Sequence, residues 1–288
     1  MSDLHIEEYG AGEPAVLIHG SGSWGVDTFP AQRELGDEFR VLLVDRRGHG
    51  QSPPSAVIGW PVDMHDVVNL LADLNGAHLA GHSSGGTVAL LAAGLRPDLV
   101  RSLVVIEPAV WGIADPGAPL PDCAVAQREV LARGPGLTAR EFLVASFAAF
   151  GVPDPAQVVS SMTADFSDAD WAGIDVHRHE VWCGDAPVDL VTLAAAAFPK
   201  VVAVGAHDPG IHPLAASLSE ANALINREYR ALARRIGAAF VTFPRSAHSP
   251  QIDDPAAVNR LLRDTWRGTQ RPPQPGEADH VGPDGRAN

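Results

Sequence analysis

The run His78-Leu79-Ala80-Gly81-His82-Ser83-Ser84-Gly85-Gly86-Thr87 decides how the rest of the chain is read. Its first four residues make a short strand and the stretch from Gly85 to Leu95 is an apolar helix. The pattern Gly81-x-Ser83-x-Gly85 therefore occupies a strand-to-helix turn. A turn that tight leaves no room for side chains at its flanks, and it lifts the Ser83 hydroxyl clear of the backbone. It also puts Ser83 at a helix N-terminus, where developing negative charge is favoured. Taken alone, the pattern fits equally a Gly/Ser-rich loop that merely ends a strand.

Working outward, short runs rich in Val, Ile and Leu recur at Ala15 to Ile18, Val41 to Val44, Leu103 to Ile106, Val201 to Val204 and Ala239 to Phe243. Helical patterns fill Asp63 to Leu74, Ala215 to Ile236 and Pro255 to Trp266. Fully apolar strands alternating with helices are the mark of a mostly parallel sheet covered on both faces, so the fold class is α/β, doubly wound. The alternation stops after Glu107, where Pro and Gly clusters punctuate amphipathic segments such as Leu137 to Phe150, and resumes at Lys200. We therefore expect a core of residues 1–108 and 200–266 and a helical insertion of residues 109–199. The remainder, 267–288, holds four Pro and four Gly with almost nothing to bury, and reads as a disordered tail.

A serine needs a base, and the base needs an orienting acid; on a parallel sheet these groups meet at the strands' carboxyl ends. The strand ending at Val204 runs into Gly205-Ala206-His207-Asp208-Pro209, and the one ending at Phe243 runs into Ser246-Ala247-His248. That supplies Ser83, Asp208 and His248 in the order this architecture uses. Glu107 is a rival for the acid, since it also follows a strand's carboxyl end; Asp208 is favoured because its loop is the usual one for that role. Otherwise Glu107 only begins the insertion. Two backbone N–H groups should receive the oxyanion, one from Ser84 and one from the loop His19-Gly20-Ser21-Gly22-Ser23-Trp24, where Ser21 is the first choice and Gly22 the next.

That loop also spells G-x-G-x-x-G through Gly20, Gly22 and Gly25, with Asp45 twenty residues on, which is the form of a dinucleotide fingerprint. Pro30 falls where the required helix interior would be, and Phe29 is too large for the close packing, so no nicotinamide cofactor is expected. His82, His207, His177 and His179 read as packing or solvated residues, because no metal-ligand spacing accompanies them; no metal is expected.

The 288 residues carry 35 acids against 21 basic residues, a net charge of −14, with 45% hydrophobic residues and a mean hydropathy near zero. That composition builds a sizeable core, and the charge argues against nucleic acid or an anionic membrane as partner. Residues 109–199 hold 12 acids against four arginines. Acidity concentrated there favours neutral or cationic ligands over strongly anionic ones, unless it is an ordinary solvated face. The two cysteines, Cys123 and Cys183, read as free thiols. No secretory leader pattern opens the chain, which suggests a reducing, cytoplasmic setting.

With these residues the chain resembles the α/β-hydrolase superfamily, in the cap-bearing branch of esterases, epoxide hydrolases and related enzymes. The likeness spans about residues 4–266. It rests on His19-Gly20, Asp45-Arg46-Arg47-Gly48-His49-Gly50-Gln51-Ser52, Gly81 to Gly86, Gly205 to Pro209 and Ala247-His248. The resemblance implies that the insertion is a cap over the site. The N-terminus departs from it, being too short for the family's full set of leading antiparallel strands.

Haloalkane dehalogenases and epoxide hydrolases use an aspartate nucleophile, and the latter also need cap tyrosines. Here the elbow carries Ser83, and Tyr9 and Tyr229 lie outside the insertion. Hydroxynitrile lyases need a catalytic lysine, but Lys200 opens a strand at the wrong end. The expectation is a serine hydrolase acting on a small-molecule ester, thioester or lactone through an acyl-enzyme. Carbon–carbon bond hydrolases, cofactor-free perhydrolases and aminopeptidases keep the same triad, and a low-turnover ligand-binding or biosynthetic scaffold is a reading of another class. Trp24 and Trp111, near strand ends, are expected to touch the substrate, with further contacts from cap aromatics such as Phe142, Phe147, Phe150, Trp171 and Trp182. A homodimer is compatible with the sequence.

Overall fold

The computed structural model describes residues 3–211 and 218–268. Its strands are β1 (Ile6–Tyr9), β2 (Pro14–Ile18), β3 (Arg40–Val44), β4 (Ala77–His82), β5 (Val100–Ile106), β6 (Lys200–Gly205) and β7 (Ala239–Phe243). They form one sheet in the order β1-β3-β2-β4-β5-β6-β7. Only β1 runs antiparallel, against β3.

The helices α1 (Gly25–Thr28), α2 (Trp60–Asp73) and α3 (Ser84–Leu95) precede β5. Between β5 and β6 stand α4 (Asp122–Arg133), α5 (Ala139–Ala149), α6 (Pro155–Met162), α7 (Asp168–His177) and α8 (Leu190–Ala195). The order closes with α9 (Ser219–Ile236), α10 (Pro250–Asp253) and α11 (Pro255–Trp266).

The apolar strands are apolar because both of their faces are covered. Along β2, Val16 and Ile18 join the core under α2, α3 and α9, whereas Ala15 and Leu17 join the one under α11. β5 divides in the same way, Leu103 and Val105 against Val104 and Ile106, as the strand period of two requires. Residues Ser84 to Ala93 of α3 are all buried, which explains a helix apolar on every side.

The sequence reading missed β1, whose Ile-Glu-Glu-Tyr run has too few apolar residues; it is an edge strand held by pairing to β3. α2 starts three residues before the expected position because Pro61 suits a first helical turn. The expected helix start at Ala215 and residues 269–288 of the expected tail lie outside the described residues. Among the described residues no helix is long and apolar enough to cross a membrane.

Of the helices between β5 and β6, α4 to α7 gather on a small core of their own, Val130, Phe142, Leu143, Val159 and Ile174, whereas α8 sends Leu193 into the main core. With little to bury, they rely on end caps: Thr138 with Glu141 and Ser167 with Asp170 form capping boxes, and Asp154 and Asp189 cap α6 and α8. Two contacts seat this layer on the sheet. Gly173 of α7 packs so closely on the loop after β2 that a Cβ there would lie 2.7 Å from the Gly22 carbonyl oxygen. Beyond α7, Glu180 pairs with Ile58 in a β-bridge and sends its carboxylate inward to Arg46.

The Arg46 guanidinium, 1% exposed, lies 2.8 Å from Asp63 of α2 and 2.6 Å from Glu180. Removing it leaves two buried carboxylates without their common counter-ion, a defect that costs roughly 3–5 kcal/mol. Arg46→Leu should therefore shift the urea unfolding midpoint downward by an amount of that order, whereas the exposed pair partner Arg96→Leu should cost under about 1 kcal/mol.

Candidate active site

Ser83 sits in the strained conformation the elbow requires, with φ 53° and ψ −122°. Its N–H donates to Ile106 O at 2.9 Å, and its carbonyl accepts from Gly86, Thr87 and Ala109, so the turn cannot relax. A Cβ on Gly81 would lie 2.3 Å from Gly85 O, and one on Gly85 would lie 2.3 Å from Ile18 O and His19 O. The two elbow glycines are thus obligatory.

His248 lies on the loop after β7. Its Nδ1 is 3.0 Å from Glu107 Oε2, and its carbonyl accepts a hydrogen bond of 2.8 Å from His82 Nε2. Glu107, at the end of β5, has φ 47° and a side chain 1% exposed. The Glu107 carboxylate also accepts from Gly205 N–H at 2.8 Å and lies 2.9 and 3.1 Å from His207 Nε2. Burial alone would raise its pKa, but the hydrogen bonds with His207 and His248 prevail and hold it at about 2. A buried carboxylate that stays ionised is what a histidine base needs behind it.

The expected acid, Asp208, is not in that place. It is exposed, and its carboxylate accepts from Gly210 N–H at 2.8 Å within its own loop. The loop after β6 turns through a left-handed His207, φ 52°, which delivers the His207 ring to Glu107 and leaves Asp208 outside. His207, read from sequence as packing or solvated, therefore belongs to the site. The signal for Glu107 was present: a carboxylate wedged between an all-apolar strand and Pro108, a place where a charge survives only if paired.

Among the described residues neither the Ser84 nor the Ser21 backbone N–H has an acceptor, and both residues line one cavity with Ser83 and His248. The Ser21 hydroxyl donates to Glu180 and lies 2.9 Å from Ser84 Oγ. The loop carrying Ser21 is fixed from behind: the Gly20 carbonyl accepts from Arg46 Nη2 at 3.0 Å and lies 2.7 Å from His19 Nδ1. His19 Nε2 in turn accepts from Arg46 N–H at 2.8 Å. Gly22, the second choice for an oxyanion donor, does not line the cavity; its φ of 70° turns its carbonyl toward Gly173.

The cavity measures about 610 Å³ and has mainly apolar walls, among them Trp111, Leu131, Phe147, Phe150, Met162 and Trp182. Among the described residues no lysine or arginine lines it. Trp111 is where the sequence reading put it, but Trp24 is not among the lining residues and packs beside Gly50. Phe142 is buried in the insertion's core, and Trp171 meets Phe166 edge-on there. The dinucleotide-like loop leads into a helix of only four residues, and the Asp45 carboxylate is occupied by the N–H groups of Gly25 and Gln51 and by His5.

Comparison with known proteins bears on the family and the fold. The pattern of the Alpha/beta hydrolase family matches residues 15–261. The pimeloyl-[acyl-carrier protein] methyl ester esterase of Methylococcus capsulatus is 32% identical over 185 residues, 61% of this chain and 71% of that one. The (E)-2-((N-methylformamido)methylene)succinate hydrolase of Acinetobacter baylyi is 33% identical over 110 residues, covering 36% of this chain but only 40% of that relative's length. Among solved structures, a thermophilic esterase from Thermogutta terrifontis superposes with a TM-score of 0.64 at 27% identity, covering 93% of this chain and 94% of that one. The enol-lactonase from Burkholderia xenovorans LB400, at 20% identity and a TM-score of 0.63 over 92% of this chain and 96% of that one, shares the fold.

The site also sets the acid limb of stability. Burial drives His82 from 6.5 to about 3, so the folded protein keeps it neutral while the unfolded chain protonates it. Its contribution is complete above 6.5 and is lost as pH falls toward 3; Glu107, lowered from 4.5 to about 2, adds a second loss between those values. The melting temperature should fall between about pH 7 and about pH 5, and His82→Gln should remove part of that fall, since burial lowers His19 and His78 as well, while leaving the steeper decline below about pH 4.

Proposed function

Because the chain belongs to the alpha/beta hydrolase family, we propose that it is a serine hydrolase in which Ser83, His248 and Glu107 open a small ester, thioester or lactone. The observation that carries this reading is the buried Glu107 bonded to His248 Nδ1, in the cavity that Ser83 lines from the elbow.

His248 Nδ1–H, donating a hydrogen bond to the Glu107 carboxylate, leaves Nε2 as the base. Among the described residues the Ser83 hydroxyl makes no hydrogen bond, to His248 or to any other group, although both residues line the cavity; their contact is one that forms as substrate binds. As Ser83 attacks the carbonyl, His248 takes that proton, Glu107 stabilises the imidazolium, and the N–H groups of Ser84 and Ser21 receive the oxyanion. The leaving alcohol or thiol takes the proton from His248. Water, deprotonated by His248, then attacks the acyl-enzyme and releases the acid. An apolar cavity with no lysine or arginine suits an uncharged acyl group, in line with the acidity of the surrounding insertion.

With an activated ester such as p-nitrophenyl acetate, Ser83→Ala and Glu107→Gln should each lower kcat by about 10³-fold or more, while Asp208→Asn stays within about twofold of the parent. Steady-state kinetics on the three variants checks this. A loss in Asp208→Asn as deep as that in Glu107→Gln would return the acid to the loop after β6.

A further inference from the structure

Besides His248 and His207, both held by Glu107, the cavity contains another carboxylate-held histidine, which acyl transfer by Ser83 leaves without a role. His177, the last residue of α7, lines the cavity from the side of the insertion. Its Nδ1 is 2.7 Å from Glu180 Oε2, and its ring stands edge-on to Phe142 with centroids 4.9 Å apart. Among the described residues its Nε2 has no partner.

Glu180 cannot turn away from this contact. Its side chain is 4% exposed, Oε1 lies 2.6 Å from Arg46 and 3.3 Å from His49, and Oε2 accepts from the Ser21 hydroxyl as well as meeting His177. A carboxylate pinned on three further sides fixes both the orientation and the tautomer of the imidazole, as an outer carboxylate does for a metal-bound or catalytic histidine. The Nδ1–H is therefore engaged as a donor to Glu180, which leaves Nε2 as the nitrogen open to the cavity. Because Ser21 and His177 share one oxygen of Glu180, the ring stands on the oxyanion-loop side of the cavity. The wall around it is apolar, and the amide of Gln127, also in the lining, already donates to Ser146 O at 2.7 Å.

We propose that His177 is a specificity-determining residue whose Nε2 accepts a hydrogen bond from a hydroxyl group of the substrate, so that hydroxylated esters, thioesters or lactones are preferred over their deoxy counterparts. This inference rests on the serine-hydrolase reading of the same cavity and adds the class of substrate to it. His177 is a quarter exposed in the open cavity, and a deoxy compound that covers Nε2 displaces its water and offers nothing in return, which favours the hydroxylated member of a pair.

The test uses matched pairs on the intact protein: methyl butyrate against methyl beta-hydroxybutyrate for the acyl side, and ethyl butyrate against ethylene glycol monobutyrate for the alcohol side. In at least one pair the hydroxylated ester should have a kcat/KM about tenfold higher. His177→Leu should bring that ratio to about one. His177→Phe, which keeps a ring against Phe142 but offers no acceptor, should do the same and serves if the leucine variant does not fold. A merely structural histidine would lower both members of a pair alike and leave the ratio intact. The proposal is overturned by a parent ratio near one in both pairs, by a ratio that survives both substitutions, or by a stronger preference for monomethyl succinate that vanishes with His177. Ser83→Ala separates the two levels: if it leaves turnover unchanged, the serine-hydrolase reading fails, whereas abolished turnover with a flat parent ratio sinks only the role of His177.

Discussion

Arg46 is enclosed by protein, and the groups around the site are arranged to keep its guanidinium paired. It stands between Asp63 of α2 and Glu180 of the insertion and donates to the Gly20 carbonyl of the oxyanion loop. Two carboxylates facing one guanidinium leave a surplus of negative charge in a place where water cannot screen it. The structure answers that surplus unequally. Burial outweighs Arg46 at Asp63 and pushes its carboxyl up, whereas at Glu180 Arg46 and His177 overcome burial and hold the carboxylate well below the usual range. The hydrogen bonds from Ser21, His177 and His49 then converge on the carboxylate that stays charged, and that convergence joins the insertion to the oxyanion loop.

A second buried carboxylate, Glu107, organises the other half of the site. Ser83 leaves β4, Glu107 leaves the neighbouring β5, and His248 leaves β7 at the far edge. The strand between, β6, ends in Gly205, and His207 follows in the loop after it; both hydrogen-bond Glu107 and fill the gap between acid and base. An acid on β5 must reach across β6, and glutamate has one methylene more than aspartate with which to do so. From the loop after β6 an aspartate would have had no such distance to cover, but His207 already occupies the approach.

Much of this is legible in the chain. The Gly81 and Gly85 flanks of the elbow, the buried strands and the helix Pro255–Trp266 follow from periodicity and sterics that operate within a few residues. The failures share a different cause. Whether Asp208 or Glu107 meets His248 depends on left-handed backbone at His207 and Glu107, a conformation that non-glycine residues adopt only under tertiary constraint and that leaves no local mark. The Trp24 and Gly22 expectations fail likewise, because a sequence states a loop's contents but not the direction in which each residue faces. Arg46 and Glu180 are 134 positions apart, so no sequence window holds both. The partial exception is Glu107, since a charge directly after four apolar residues of a strand demands a partner on the strength of its neighbours alone.

The acidity of the insertion also changes meaning once Glu180 is located. Twelve acids on residues 109–199 suggest a uniformly negative cover, yet Glu180 points inward and is neutralised by Arg46 within the core. What remains, such as Asp185 facing Arg128 and Asp175 facing Arg178, lies on the outer surface, where solvent and salt weaken its effect on the cavity. The field felt by a substrate is therefore set less by the insertion's net charge than by its inward carboxylate. That carboxylate fixes Ser21 and His177 together, so the seat of the insertion and the shape of the oxyanion loop are not independent. A change that lifts α7 from Gly22 loosens Glu180 from Arg46, and with it the loop that carries an oxyanion donor. In the proposed mechanism, substrate binding against the insertion and stabilisation of the reacting carbonyl are in this way coupled through one buried ion pair.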